Sequence, residues 1–510
     1  MHFNSYEFVA VFLPAALVGA WLAGRLAGRA VVVAWLVAAS LVFYAWWRPA
    51  DLFVLVPSVA VNYLLAATVA RFRARGAGRA AFVTVAIGVM LNLAVLGWFK
   101  YAGFFAETAN ALFAAGFIAH PIVLPLAISF FTFQQIAFLV DTGRGQAPAC
   151  SPQSYALFVT FFPHLIAGPI CQPRQMLPQF ERAPLSLRAE SLALGTTVFV
   201  AGLFKKVVLA DTLAIFANPV FDAAVAGRPL SLFEAWAGAL AYTLQLYFDF
   251  SGYSDMAIGL GRMLGITLPI NFASPYRATS MIDFWRRWHV SLSTFLRDYL
   301  YIPLGGSRRG PVRRYGNLLL TMLLGGLWHG AGWTFVFWGG LHGVALAVNH
   351  GWRALRGADR PPTRWRRGAG WLATFVVVVV GWVFFRAPTF AAAGHLLGGM
   401  AGLNGITLPS ALARPLASLA PLGVTFGGWR EFGAEGGTNW GVAWLLLCLV
   451  LAVWGPNTQE WTGIDDTPSR RSPRLAWRPS PSWAIGIAAI TAVSVYMMLS
   501  RRREFLYFQF

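Results

Sequence analysis

The chain has 510 residues, of which 57% are hydrophobic and 12% charged, against roughly 25% charged in an ordinary soluble domain; a water-soluble enzyme is excluded and lipid is the expected solvent. The formal net charge of +20 does not indicate nucleic acid, because the basic residues fall in short gaps between apolar runs, as in cytoplasmic loops of a membrane protein. Cys150, Cys171 and Cys448 are too few and too scattered for a disulfide framework or a zinc site.

Apolar runs start at once with EFVAVFLPAALVGAWLAG from Glu7. This run lacks a basic n-region and is followed directly by VVVAWLVAASLVFYAWW from Val31, so it reads as a retained span and not a cleaved signal. Arg71, Arg73, Arg75 and Arg79 then mark a cytoplasmic gap, as do Arg353, Arg356, Arg360, Arg364, Arg366 and Arg367 further on. The segment from Asn404 to Asn439, nearly free of charge, suits a non-cytoplasmic loop. Pro456 to Ser482, with Arg470, Arg471, Arg474 and Arg478, suits a cytoplasmic one. WAIGIAAITAVSVYMML from Trp483 is the last run. About 11 spans are expected. No repeat or linker interrupts them, which predicts one integral domain over residues 1–510 of an all-α polytopic membrane protein.

The stretch from Thr243 to His350 mixes charge, aromatics and apolar residues, and function is sought there. Asp249 and Asp255, in QLYFDFSGYSDMAIG, are acids in apolar surroundings, expected to pair with arginines or to orient a histidine. From Ile282 to Leu304, Phe284, Trp288, Leu292, Phe295 and Tyr299 fall on one helical stripe, with Asp283, Arg286, Arg287, Arg297 and Asp298 off it. This predicts an amphipathic helix at the cytosolic interface or dipping into the protein, with His289 on it. Arg286 and Arg287 are either phosphate ligands or ordinary positive-inside charge. His329 lies about a dozen residues into GNLLLTMLLGGLWHGAGWTFVFWGGLHGVALAV, a mid-span position that a rise of about 1.5 Å per residue puts close to mid-membrane. Position alone leaves two readings of it, a packing histidine or a functional one. Gly326 and Gly330, like Gly339 and Gly343, form GxxxG pairs best read as close helix contact. The signatures GxSxG, HExxH, GxxxxGK[ST] and GxGxxG are absent.

The ordered segments MHFNSYEF, LGWFKYAGFF, PLAISFFTFQQIAFLVD, FFPHLIAGPI, GLFKKVVLAD, NFASPYRATSMIDFWRRWHVSLSTFLRDYLYIPLGGSRRG and GGLWHGAGWTFVFWGGLHG, with GWVFFRAPTF and PNTQEW beyond them, resemble the membrane-bound O-acyltransferase (MBOAT) family in its alginate O-acetylase branch. The resemblance implies a fold of spans around a thinned central funnel and a multi-pass place in the cell inner membrane. It implies His329, in the WHG motif, as the catalytic residue and His289, in RRWHxS, as its companion. A phosphate-bearing thioester donor, acetyl-CoA, would stay on the cytosolic side where Arg286, Arg287, Arg297, Arg308 and Arg309 gather; no resident cofactor or metal is implied. Attack by a hydroxyl, whose pKa is about 10 even in a phenol, needs a base, and a neutral imidazole with an ordinary pKa near 6.5 suits that task. The implied partners are periplasmic acetyltransferases and a polysaccharide such as alginate. Cellulose, peptidoglycan or D-alanyl transfer to teichoic acid are alternative acceptors, and a flippase without a covalent step is the rival of a different class. After Arg501, Arg502 and Arg503 the chain ends in an aromatic motif at 505–510, FLYFQF. Its Tyr507 is either an interfacial anchor or, as in a similar motif of the D-alanyl-transferring branch, an acyl carrier reached from the non-cytoplasmic side.

Overall fold

The computed structural model describes residues 1–117, 122–182, 188–308, 310–356, 363–464 and 476–500. Helices dominate them, for a reason set by the solvent: hydrocarbon offers a backbone N–H or C=O no partner, so each must be satisfied within its own helix. Glu7–Leu26, Pro49–Ala74, Gly78–Phe113, Arg364–Arg386 and Pro481–Leu499 are long and apolar enough to span a bilayer, and Arg29–Ala45, Phe390–Met400 and Thr438–Val453 are shorter apolar helices. The expected count of about 11 spans is not confirmed. Composition accounts for part of the difference. The helix Leu232–Met263 has 32 residues, ample for a span, yet it carries Glu234, Asp249, Asp255 and Arg262.

Two compact units share the chain. The first comprises Met1–Leu203, Tyr253–Ile270 and Trp477–Ala489. Its core is aromatic, with Phe3, Phe8, Phe43 and Phe162 at most 1% exposed, whereas Phe53 and Phe82, 84% and 72% exposed, point outward from apolar helices as lipid-facing side chains do. Asn62 and Asn92 exchange amide hydrogen bonds of 3.3 and 2.7 Å. That pairing joins the helices Leu52–Ala74 and Gly78–Leu96 through polar groups that lipid could not satisfy.

The second unit comprises Phe204–Gly252, Asn271–Ala476 and the chain from Ile490. Its central device is a helical hairpin, Pro311–His329 and Trp333–Arg356. Gly326 and Gly339 face one another across it. A Cβ on Gly326 would collide with the Phe335 carbonyl, and one on Gly339 with the Met322 carbonyl, so the glycines serve close helix contact as their spacing predicted. Residues Asn404 to Asn439 hold the one sheet among the described residues, a parallel pair of short strands, Ile406–Pro409 and Val424–Gly427.

Two ion-pair assemblies brace this unit. Lys206, 1% exposed, contacts Asp211 at 2.5 Å and Asp249 at 2.9 Å, so a lysine stands beside Asp249 where an arginine was expected. Arg277 donates to the carbonyls of Val453 (2.8 Å) and Gly455 and to Glu460 at 3.1 Å. Glu460 belongs to PNTQEW, where it forms a capping box with Asn457, whose side chain donates to Ser274 Oγ at 2.9 Å. That motif thereby anchors the turn Pro275–Arg277, which leads into the candidate site.

Candidate active site

The single amphipathic helix expected over Ile282–Leu304 is broken in two, Met281–Trp285 and Val290–Leu296, followed by a wider turn at Arg297–Tyr301. The stripe holds over its first four members, since Phe284, Trp288, Leu292 and Phe295 are buried, while Tyr299 is only half-buried. The break comes at His289, which takes a left-handed backbone with φ 44° and ψ 54°. Such a conformation costs a non-glycine residue about 1–2 kcal/mol. Packing on both sides enforces it. The Trp288 ring is held by Phe272 at 5.0 Å, Phe284 at 5.7 Å and Trp382 at 4.8 Å. The His289 ring sits edge-on to Phe250 at 4.8 Å. At 1% exposure His289 is an interior residue, not the interfacial one its sequence position suggested.

Three hydrogen bonds converge beside it. Asn271 Oδ1 lies 3.1 Å from His289 Nδ1, accepts from the Ser291 hydroxyl at 2.9 Å and accepts from the Ser291 N–H at 3.3 Å. The Asn271 carbonyl accepts from the Val290 N–H at 3.0 Å, so the asparagine is tied to the first turn of Val290–Leu296 from both ends. His289 Nε2 is buried with no hydrogen-bond partner among the described residues.

His329 is the last residue of its helix, because the chain turns extended at Gly330. The run expected to be one span is the hairpin described above, and the histidine stands at its turn instead of partway along a continuous helix. The Gly330–Ala331–Gly332 sequence allows this, since a Cβ on Gly330 would meet the Phe335 ring. The His329 ring is enclosed by Trp328 at 4.9 Å, Trp338 at 5.2 Å and Phe385 at 5.2 Å. His289 faces it with ring centroids 6.3 Å apart. A direct imidazole-to-imidazole hydrogen bond would bring centroids to about 5 Å, and one intervening oxygen would set them about 6–7 Å apart. The two histidines singled out from sequence are thus brought together at a spacing that admits a hydroxyl between them.

Arg286 and Arg287 separate in role. Arg287 is committed, its Nε donating to Asp283 at 2.8 Å and a second guanidinium nitrogen to the Ala273 carbonyl at 3.2 Å. Arg286 is exposed. Arg297 pairs with Asp298 at 2.7 Å, and Arg308 is exposed. Arg309 and Tyr507 lie outside the described residues.

Two residues carry more than the sequence reading gave them. Asn271 opens NFASPYR and is distinguishable only by its contacts. His342, in GGLHG, is fully buried with neither ring nitrogen hydrogen-bonded among the described residues, against Trp338 at 4.9 Å and Trp285 at 5.4 Å. Among the described residues no group of three or more His, Cys, Asp and Glu is placed to hold a metal ion. An apolar groove of about 1030 Å³, between Trp333 and Trp352 on one helix and Val377 on the next, is lined by neither His289 nor His329; the candidate site is the enclosed pair, not this groove.

Comparison with known proteins agrees with the geometry. Residues 142–388 match the model of "MBOAT, membrane-bound O-acyltransferase family". The chain is 44% identical over 435 residues to the peptidoglycan O-acetyltransferase of Helicobacter pylori, covering 80% of this chain and 81% of that protein. It is 45% identical over 408 residues to a Pseudomonas putida protein named "Probable alginate O-acetylase AlgI", covering 78% and 80%. Similarity to the teichoic acid D-alanyltransferase of Bacillus subtilis is lower, 28% over 287 residues, covering 53% of this chain and 71% of that one.

Proposed function

The chain belongs to the membrane-bound O-acyltransferase family, and from that premise we propose that it takes acetyl groups from acetyl-CoA on the cytosolic side of the inner membrane and passes them across for O-acetylation of a cell-envelope polysaccharide. The observation that carries this reading is the buried pair His289 and His329, with ring centroids 6.3 Å apart, in a protein whose outward surfaces suit lipid. Two relatives at about the same identity are named for O-acetylation of polymers, alginate and peptidoglycan, and the D-alanyl-transferring relative is more distant. Alginate remains the acceptor of choice here, with peptidoglycan the next, since the quoted motifs lie along so much of the chain.

The chemistry is one substitution at a thioester. An acceptor O–H gives its proton to an imidazole nitrogen, and the oxygen attacks the thioester carbonyl carbon. The tetrahedral intermediate collapses with cleavage of the C–S bond, and the imidazolium returns the proton to the departing thiolate, so ester and free thiol are the products. Burial of the pair among Phe250, Trp328, Trp338 and Phe385 keeps water, the competing nucleophile, from the acyl carbon. Arg286 would hold donor phosphates outside while the acyl end enters. Tyr507 would receive the acetyl group first, turning one long transfer into two, before periplasmic acetyltransferase partners place it on the polymer.

The test is free thiol. Purified protein in lipid nanodiscs, given acetyl-CoA, its periplasmic acetyltransferase partner and a soluble acceptor oligosaccharide, should release CoA in proportion to ester formed. Transport of polymer or lipid without CoA release would establish a flippase instead.

A further inference from the structure

We propose that Asn271 is a positioning residue that locks His289 in one tautomer, and that His289 Nε2 is therefore the nitrogen that takes the acceptor's proton. This rests on the acyl-transfer reading and divides the labour within it.

The argument begins with the amide. An asparagine side chain presents one oxygen and one nitrogen, and which occupies a given place is decided by its partners. The Ser291 backbone N–H, 3.3 Å away, can only donate, so the atom it meets is the oxygen Oδ1. The same oxygen lies 3.1 Å from His289 Nδ1. An oxygen that only accepts requires the ring nitrogen opposite it to carry hydrogen. His289 is thus the Nδ1–H tautomer, and Nε2 holds a bare lone pair. That lone pair sits on a buried nitrogen with no hydrogen-bond partner among the described residues, in a residue that is 1% exposed.

A buried acceptor left open is unfavourable for folding and is expected where a substrate supplies the missing donor. The left-handed backbone at His289 is a second sign, because strain of this kind survives only where surrounding contacts over-determine it. Across the gap stands His329. A hydroxyl between the rings has one hydrogen, and His289 Nε2 can do nothing but accept it. His329 then faces the developing oxyanion or the sulfur from the other side of the hydroxyl. The step balances: the O–H proton moves to Nε2, the new C–O bond forms as C–S breaks, and the proton on Nε2 leaves with the thiolate.

The groups around His289 make a pH test readable. Its ring neighbours Phe250, Phe272 and Trp328 carry no charge, leaving His329 as the titratable ring facing it. Arg287 on its own segment is paired with Asp283, and Asp249, next to Phe250 in sequence, with Lys206.

The experiment compares Asn271→Leu with Asn271→Asp in the full-length protein, measuring kcat, KM for acetyl-CoA and the pH profile of acetyl transfer. Asn271→Leu frees the ring to adopt the other tautomer and should lower kcat by about a hundred-fold or more with KM little changed, since a wrong tautomer in an analogous orienting pair costs up to about 10⁴. Asn271→Asp keeps an acceptor opposite Nδ1–H, so it should retain most of the rate. Its carboxylate stabilises the imidazolium, so the neutral base survives only at higher pH and the acid limb moves upward. Equal loss in both variants, or an unmoved acid limb in Asn271→Asp, overturns the proposal. Those results would leave the acyl-transfer reading standing provided His289→Gln and His329→Gln are inactive; if both of these remain active, the reading itself fails.

Discussion

Adding one methyl group at Gly326 should cripple the enzyme although Gly326 touches no substrate. A Cβ there would stand 3.1 Å from the Phe335 carbonyl carbon and 3.2 Å from the Gly339 Cα, and closer still to the Phe335 oxygen. These are backbone atoms of the opposite hairpin helix, so no side chain can swing away and the helices must part. Ordinary carbon contacts need about 3.5–4 Å, which sets the displacement at roughly 1 Å once the carbonyl oxygen is cleared. Overpacking of this kind costs about 1–3 kcal/mol. The rate should suffer more, because Gly326 lies within one helical turn of His329, and a shift of about 1 Å in a catalytic group can cost about 10²-fold. Gly340→Ala and Gly332→Ala are the controls. The first would meet only the end of the Leu323 side chain, at 3.3 Å, and the second would make an ordinary 3.5 Å contact with the Phe335 ring. Thermal melting and labelled-acetyl transfer on the three variants should show a moderate loss of stability and about a hundred-fold loss of kcat for Gly326→Ala, with the controls near wild type. A Gly326→Ala protein with normal kcat would refute the claim that the close hairpin positions His329.

Arg286→Gln should raise the KM for acetyl-CoA several-fold, whereas Arg287→Gln, which breaks a half-exposed ion pair with Asp283, should change stability by less than about 1 kcal/mol and leave KM alone; equal effects would return both arginines to a topological role. Lys206→Met leaves Asp211 and Asp249 without their buried cation and should destabilise by about 3–5 kcal/mol, read as a large fall in Tm, with Asp249→Leu in the same protein restoring part of it. Tyr507→Phe retains the ring and removes the nucleophile, so the carrier step predicts lost polymer acetylation and no base-labile acetyl on the C-terminal peptide by mass spectrometry.

Much of this protein was legible from its residues. Composition fixed the solvent, the Ile282–Leu304 stripe named the buried face, and the GxxxG pairs marked close contact, because each depends on local periodicity. His329 and His289 were singled out through the motifs around them, WHG and RRWHxS. What stayed hidden depends on contacts remote in sequence. An apolar run through LLGGLWHGAGWTF looks continuous, and only the hairpin shows that Gly330 and Gly332 allow a turn. The interface placed at His289 turned inward because Trp288 and His289 each find an aromatic nest, and that breaks the helix between them. Arg286 and Arg287, alike in sequence, differ because Asp283 and the Ala273 carbonyl take one of them. Asn271 had no signal of its own, since a neutral amide upstream of a histidine is unremarkable until the two meet. PNTQEW was visible as a motif, but its work as the anchor of Arg277 was not.

The most direct test of the central claim measures CoA release and ester formation together in the wild type, His329→Gln and His289→Gln, each reconstituted at matched, folded concentration. Acyl transfer at the imidazole pair predicts that both products fall below detection in His329→Gln and in His289→Gln, while melting temperatures stay near wild type. Stoichiometric CoA release and ester formation retained in His329→Gln would contradict the assignment.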